Sequence, residues 1–330
     1  MGNNKAGKIK TLSLAGEFLS WKTIAAVIVA FLIIYALFRG FKRADLITFI
    51  DYFHRMNIPA FALGFVSYYI AYLFLGLRYR ILLGNCGVKI SLWRAALTCF
   101  MGAAINAGLP TKVGDFYRAY LLHKHSNVPV GQGLGANIGE RIFDLTFLLG
   151  LFIVMSHILF GHGSNVIVNR LIVSGLYLLG LVVLVLVLLL VPATRNSILA
   201  VFPVKVRVFV TQFADGVTGS LGHNWFWLIA ATVGLWAMES LRLYFVTVAL
   251  GAHLTIPQII FTVTATTLLA SIPVSFSGLG FVEGGMTGLL KLFRIDTALG
   301  LATILGDRLI SFVSVLILGF LSFLFVKDAS

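Results

Sequence analysis

From Leu171 to Val191 the chain carries no charged residue, and Leu309 to Val326 does the same before Lys327. A helix rises ~1.5 Å per residue, so runs of this length reach most or all of the way across the ~30 Å of hydrocarbon in a bilayer. Few folds are open to such a chain. Inside lipid the backbone must satisfy its own hydrogen bonds, which leaves helices or a closed barrel. Closely spaced period-two segments, the mark of a barrel, are absent, so the runs are read as helices. Composition agrees: 59% of the 330 residues are hydrophobic, 11% are charged and the mean hydropathy is +0.99. A water-soluble domain of that composition lacks the polar surface to cover itself.

The formal net charge of +13 would suggest a nucleic-acid partner in a soluble protein. Here Lys and Arg sit beside the apolar runs, where they set topology and meet anionic headgroups, and no nucleic acid is expected. Cys86 and Cys99 are the only cysteines, without CxxC spacing or a Cys/His cluster. No disulfide, metal site or cofactor is predicted. Lys5, Lys8 and Lys10 precede the first apolar run and no small-residue cleavage site follows it, which favours a retained helix over a signal peptide.

Taken in order, residues 1–56 hold a membrane helix, Thr23 to Phe38, and an interfacial helix over 44–57 with Leu46, Ile47, Ile50, Phe53 and Met56 at helical spacing. Residues 57–160 form a first repeat. It comprises a span from Asn57 to Leu77, a re-entrant hairpin near 92–126 broken at Gly108, Pro110 and Gly114, and a helix that Glu140, Arg141 and Asp144 open. Residues 161–222 link the halves through the Leu171 to Val191 span and an amphipathic interfacial segment over 197–222. Residues 223–330 form a second repeat, with a re-entrant hairpin near 256–293 broken at Pro273, Gly278, Gly280 and Gly284, and a last span from Leu309 to Val326. The fold expected is an all-α polytopic membrane protein of about six spanning helices plus two re-entrant helical hairpins, in two inverted repeats.

The repeat rests on charge. An offset of 164 residues places Arg78 on Arg242, Gly87 on Gly251 and Ser91 on Thr255. Offsets of 168 and 167 place Asp115 on Glu283 and Glu140-Arg141 on Asp307-Arg308. With non-crossing hairpins and a cytoplasmic N-terminus, Arg78, Arg80, Lys89, Arg94, Lys124, Arg195, Lys205, Arg207 and Lys327 all fall inside, as does the C-terminus, whereas Arg39, Lys42 and Arg43 fall outside.

Ionisable groups at membrane depth are costly and tend to pair, face a cavity and mark a pathway. The candidates to bind substrate are Arg78, Asp115, Arg118, Glu140, Arg141, Asp144, Glu239, Arg242, Glu283, Asp307 and Arg308. Gly/Pro-broken helices aim free backbone N–H groups into a cavity, and Arg forks grip phosphate or carboxylate oxygens in pairs. A second reading stands beside this one: Glu140, Arg141, Asp307 and Arg308 tie the repeats together, and the glycines serve close packing. The Gly-rich run lacks GxxxxGK[ST] and is no nucleotide loop.

The run Pro110, Gly114-Asp115, Arg118-Ala119-Tyr120-Leu121-Leu122, with Glu140-Arg141 and Asp144 downstream, resembles the first signature of the lysylphosphatidylglycerol synthase/flippase transmembrane family. Pro273, Ser275, Gly278-Leu279-Gly280, Glu283-Gly284 and Asp307-Arg308 resemble the second. Where that family favours Gly-Glu, this chain has Gly114-Asp115, which keeps the charge. The resemblance covers about residues 60–325 and implies translocation of a lipid between leaflets of a prokaryotic cell membrane. Synthase members carry a soluble aminoacyltransferase domain after the membrane part, so no synthase activity is expected of a chain ending at Ser330. The partners expected are membrane lipids, either phospholipids or polyprenyl-phosphate-linked glycans, with a homo-oligomer or a partner transferase in addition. The rival functions are a membrane enzyme acting on a polyprenyl phosphate and a non-transporting scaffold for a transferase.

Overall fold

The computed structural model describes residues 43–108, 113–161, 203–271 and 280–326, with scattered positions between 169 and 191. The expected first helix (Thr23 to Phe38), most of Leu171 to Val191, and Pro110, Pro273 and Gly278 lie outside the described residues. Within them all regular structure is helical. In chain order the helices are α1 (Arg43–His54), α2 (Ile58–Asn85), α3 (Leu92–Gly108), α4 (Val113–Ser126), α5 (Val130–Phe160), α6 (Val204–Ser220), α7 (Trp225–Leu250), α8 (Ile256–Ser271), α9 (Phe281–Leu292), α10 (Thr297–Arg308) and α11 (Ser314–Val326). A π-helical turn, Leu309–Val313, joins α10 to α11 without a break. The chain is a polytopic all-α membrane protein. Among the described residues four helical segments are long and apolar enough to cross a bilayer: Ile58–Asn85, Val130–Phe160, Trp225–Leu250 and Thr297–Gly319.

Local chemistry sets the ends. The Asn57 side chain accepts from Ala60 N (3.1 Å) to start α2, and Asp296 accepts from Ala298 N (2.9 Å) to start α10, each filling an orphan donor of a first turn. Gly87 and Gly251, equivalent at the 164 offset, close α2 and α7 with φ of +79° and +78°, where a side chain would be strained. Asn127 and Arg294, equivalent at 167, both turn the chain at positive φ (53° and 61°) between a hairpin and the helix that follows it.

The long helices α2 and α7 lie side by side and antiparallel. Asn57 N donates to Ala249 O (2.9 Å) at one end, and Asn85 Nδ2 donates to His223 O (2.8 Å) at the other. Since α2 and α7 are the equivalent first helices of the two halves, the halves run in opposite senses about an axis between them. Packing elsewhere obeys the same symmetry. The amphipathic helix before each half rests on the last long helix of the other half, α1 on α10 and α6 on α5. Likewise α5 packs on α8 as α11 packs on α3. Each repeat therefore begins one element earlier than its spans suggest, at α1 and at α6.

Three sequence expectations change. The helix bearing Glu140, Arg141 and Asp144 begins at Val130, so these residues sit inside it. The glycines that precede them are packing positions: a Cβ at Gly135 would strike Phe213 O, and one at Gly139 would strike Ser220 Oγ, both on α6. Leu309 does not open a separate span, because the helix is continuous from Thr297 and Asp307 and Arg308 ride within it. The α2 helix passes Leu77 and runs to Asn85, carrying Arg78 on its buried face. In each case a charge was read as a helix end, whereas the opposite charge on a neighbouring helix lets the segment continue through it. Gly284 is no break either; it lies in α9, where a Cβ would meet nothing. Gly114 sits in the first turn of α4 and lets that helix approach α3, since a Cβ there would strike Gly102 O.

The outer face is apolar: Ile58, Val66, Val154, Phe226, Val233 and Ile317 are all more than half or close to half exposed, as lipid contact requires. Trp93, Trp225 and Trp227 are exposed at helix ends on the side where α2 finishes, with Arg80 nearby, as at a headgroup layer.

Candidate functional site

The sequence-predicted charges converge on two clusters built to one plan. In the first half Arg78, with no accessible surface, donates from both terminal nitrogens to Asp144 (Nη2 to Oδ2, 2.8 Å) and from Nη2 to Glu140 Oε1 (3.0 Å). Glu140 Oε2 accepts from Arg118 Nη2 at 2.6 Å, and the Arg118 guanidinium lies 4.2 Å from the Tyr79 ring centre. Arg141 reaches back to the hairpin, 3.3 and 3.4 Å from the two oxygens of Asp115. In the second half Arg242 faces Asp307 (3.4 Å) and Glu239 (3.1 Å), while Arg308 Nε lies 2.7 Å from Glu283 Oε1.

Equivalent residues make equivalent pairs. Arg78 with Glu140 corresponds to Arg242 with Asp307, and Arg141 with Asp115 corresponds to Arg308 with Glu283. The crossing contacts correspond too: Arg78 Nη1 lies 3.5 Å from Thr232 on α7, and Arg242 lies 5.1 Å from the ring centre of Tyr68 on α2, with Tyr68 and Thr232 again 164 apart. Each half thus has an inner pair, which ties its first helix to its last, and an outer pair, which ties its last helix to the start of a hairpin arm. All eleven predicted site residues fall in these clusters; what separates them is exposure.

The inner Arg are enclosed. Arg78 and Arg118 have side-chain exposures of 0% and 5%, and the face of Arg118 is taken by Tyr79. Of the outer pairs the first is open, Arg141 at 40% with Asp115 at 18%, whereas Arg308 at 15% with Glu283 at 5% is as enclosed as Arg242 with Asp307. The long, divided contact of Arg141 to both Asp115 oxygens leaves it the guanidinium most readily transferred to another anion. Backbone geometry supports the outer pairs. Gly114 N donates to Asn106 Oδ1 (2.7 Å), and Asn137 Nδ2 donates to Asp115 O (2.8 Å). Gly280, at φ +88°, opens α9, and its N–H donates to Glu283 Oε2 (2.5 Å). Gly280 is thus the residue from which α9 starts.

Asn106, Asn137, Tyr68, Tyr79 and Thr232 are part of the clusters and were not singled out in the sequence. Uncharged polar residues on apolar helices are common, so only the spacing of 164 between Tyr68 and Thr232 held a signal, and their types differ. Among the described residues no group of three or more His, Cys, Asp or Glu side chains is arranged to hold a metal ion.

Residues 23–319 match the model of the lysylphosphatidylglycerol synthase TM region. A UPF0104 membrane protein of Methanocaldococcus jannaschii, MJ1078, is 31% identical over 223 residues, 68% of this chain and 94% of that protein. A UPF0104 membrane protein of Methanothermobacter thermautotrophicus is 25% identical over 264 residues, 74% of this chain and 76% of that protein. The glycosyltransferase AglD of Haloferax volcanii is 30% identical over 86 residues, 26% of this chain and 14% of that protein. The paired signatures around Asp115 and Glu283, the duplicated ion pairs and the extent of these matches together place the chain in the lysylphosphatidylglycerol synthase transmembrane-region family.

Proposed function

We propose that the protein is a transporter, not an enzyme, that moves a lipid with a phosphate-bearing headgroup between the leaflets of the cell membrane. The observation that carries the reading is the duplicated outer pair, a guanidinium held by a single carboxylate where a hairpin arm starts, once in each half. A phosphate presents the oxygens that an Arg fork prefers, so it can take Arg141 from Asp115 or Arg308 from Glu283 in a low-dielectric site. The released carboxylate then meets a cationic part of the headgroup or backbone N–H groups of the arm. The inner Arg remain ties that fix the frame.

The hairpin arms support the same reading. With 17 residues in α3 and 16 in α8, each rises only ~24–26 Å, short of a straight crossing. Both pack against their own returning arms, α4 and α9. Arms that enter and leave on one side, from opposite faces in the two halves, would set both outer pairs near mid-membrane and leave the acyl chains in lipid. Similarity to part of a glycosyltransferase favours a lipid-linked phosphate or sugar over a water-soluble anion. Both termini lie on the cytoplasmic side in this reading.

The test is leaflet exchange of fluorescent phospholipids and polyprenyl-phosphate lipids in liposomes holding the purified full chain. Arg141→Ala and Arg308→Ala serve as comparisons after both are shown to be folded. Exchange confined to phosphate headgroups and lost in both variants is expected. Exchange untouched by both, or none for any lipid, would overturn the proposal.

A further inference from the structure

The two clusters follow one plan but differ in charge. In the first half Arg78, Arg118 and Arg141 face Glu140, Asp144 and Asp115, three against three. In the second half Arg242 and Arg308 face Glu239, Asp307 and Glu283, two against three. Substitution at matching places explains the difference. Arg118 corresponds to Met286, which is buried; Asp144 corresponds to Ser311; and Glu239 corresponds to Leu75 in the first half. The second half has lost one cation and one anion and gained another anion. Since Arg308 and Glu283 balance, the excess falls on Arg242, which two carboxylates share.

Among the described residues no ion pair other than those with Arg242 reaches Glu239 or Asp307. Tyr68 and Tyr72 of α2 face the cluster, and their hydroxyls, 3.2 Å apart, contact each other, with Tyr68 donating to Ser311 O at 3.0 Å. Helix α8, which packs on α7, has no ionisable residue, and Asp51 of α1 pairs on the surface with Arg55, just past the end of that helix. Asp307 is 8% exposed, and its Oδ1 receives no hydrogen bond; Arg242 is also 8% exposed, and its Nε makes none. Glu239 is the most open member, with a side chain 20% exposed. An unmatched negative charge in this setting is costly and demands a cation. With no metal-binding group of three ligands among the described residues, the smallest cation that the pair can take is a proton.

We propose that Glu239 and Asp307 together bind one exchangeable proton, with Arg242 holding whichever carboxylate stays ionised, and that lipid movement is coupled to this proton. The proton comes from water, adds to one carboxylate oxygen and leaves to water. No electron moves and no other bond changes. The coupling part rests on the lipid-transport reading; the proton site does not.

Two measurements on the full chain keep these apart. The first is an infrared pH titration in lipid nanodiscs. A protonated-carboxyl C=O band that disappears as pH rises is expected in wild type, and its absence is expected in both Glu239→Gln and Asp307→Asn, because either change leaves one carboxylate for Arg242. No such band, or a band that survives both changes, overturns the proton site. If one variant fails to fold, the other still decides.

The second measurement is the leaflet distribution of a labelled polyprenyl phosphate in liposomes under an imposed pH gradient. With one proton per lipid the distribution shifts by up to ~10-fold per pH unit, the equivalent of ~1.4 kcal/mol. A wild-type distribution that ignores the gradient, or a Glu239→Gln distribution that follows it as wild type does, overturns the coupling. A titrating band with no exchange of any lipid upholds the proton site and overturns the transport reading.

Discussion

Replacing Glu140 with glutamine tests the charge balance of the inner clusters. Glu140 holds two guanidiniums at once, Arg78 at 3.0 Å and Arg118 at 2.6 Å, and its side chain is 4% exposed. Without its charge, Arg78 keeps Asp144 but the enclosed Arg118 loses the carboxylate it pairs with. Removing one partner of a buried pair costs ~3–5 kcal/mol, because the charge left behind keeps its desolvation cost and loses its compensation. Glu239→Gln does the reverse: it leaves Arg242 with Asp307 as a balanced pair and loses only a partly exposed contact between neighbouring turns, so ~1 kcal/mol or less is expected. The double variant Glu140→Gln/Arg118→Met puts at 118 the residue type that Met286 supplies in the second half, and restores balance. It should recover ~0.5–3 kcal/mol relative to Glu140→Gln. Equilibrium unfolding of the full chain in mixed micelles, followed by tryptophan fluorescence, measures all three. A Glu140→Gln protein as stable as Glu239→Gln, or a double variant weaker than the single, would refute the reasoning.

Arg141→Lys keeps the charge and loses the fork, so leaflet exchange should fall well below wild type while stability stays within ~0.5 kcal/mol, because the side chain is 40% exposed; exchange equal to wild type would show that charge alone suffices. Gly114→Ala places a Cβ on Gly102 O and should cost ~1–3 kcal/mol, whereas Gly284→Ala, with open space around it, should be neutral or stabilise α9 by up to ~1 kcal/mol; unfolding curves of the pair read the contrast directly. Burial pushes the Cys86 thiol, just past the end of α2, up to about 11. Its thiolate fraction therefore stays low at neutral pH, and maleimide labelling should rise ~10-fold per pH unit toward that value, checked by mass spectrometry at pH 7, 8 and 9. Cys99, enclosed in α3, should stay unlabelled in the folded protein.

The sequence by itself determined the class of fold and the list of charges. Apolar runs leave a chain no choice but helices in lipid, and charges are so scarce among them that their order survives duplication; hence Arg78 could be matched to Arg242 and Glu140-Arg141 to Asp307-Arg308 without coordinates. It misplaced the helix ends at Leu77, Glu140 and Leu309, because whether a charge ends a helix or lies within it depends on a partner distant in sequence, Asp144 for Arg78 or Glu283 for Arg308. Only the tertiary structure decided which pairs form, that α1 and α6 belong to the repeats, and that the first half balances its charges while Arg242 is shared by two carboxylates. The physical reason is one of range. Hydrophobic transfer acts residue by residue and is written along the chain, whereas the cost of a buried charge is settled by whatever the folded neighbours place within a few ångströms of it.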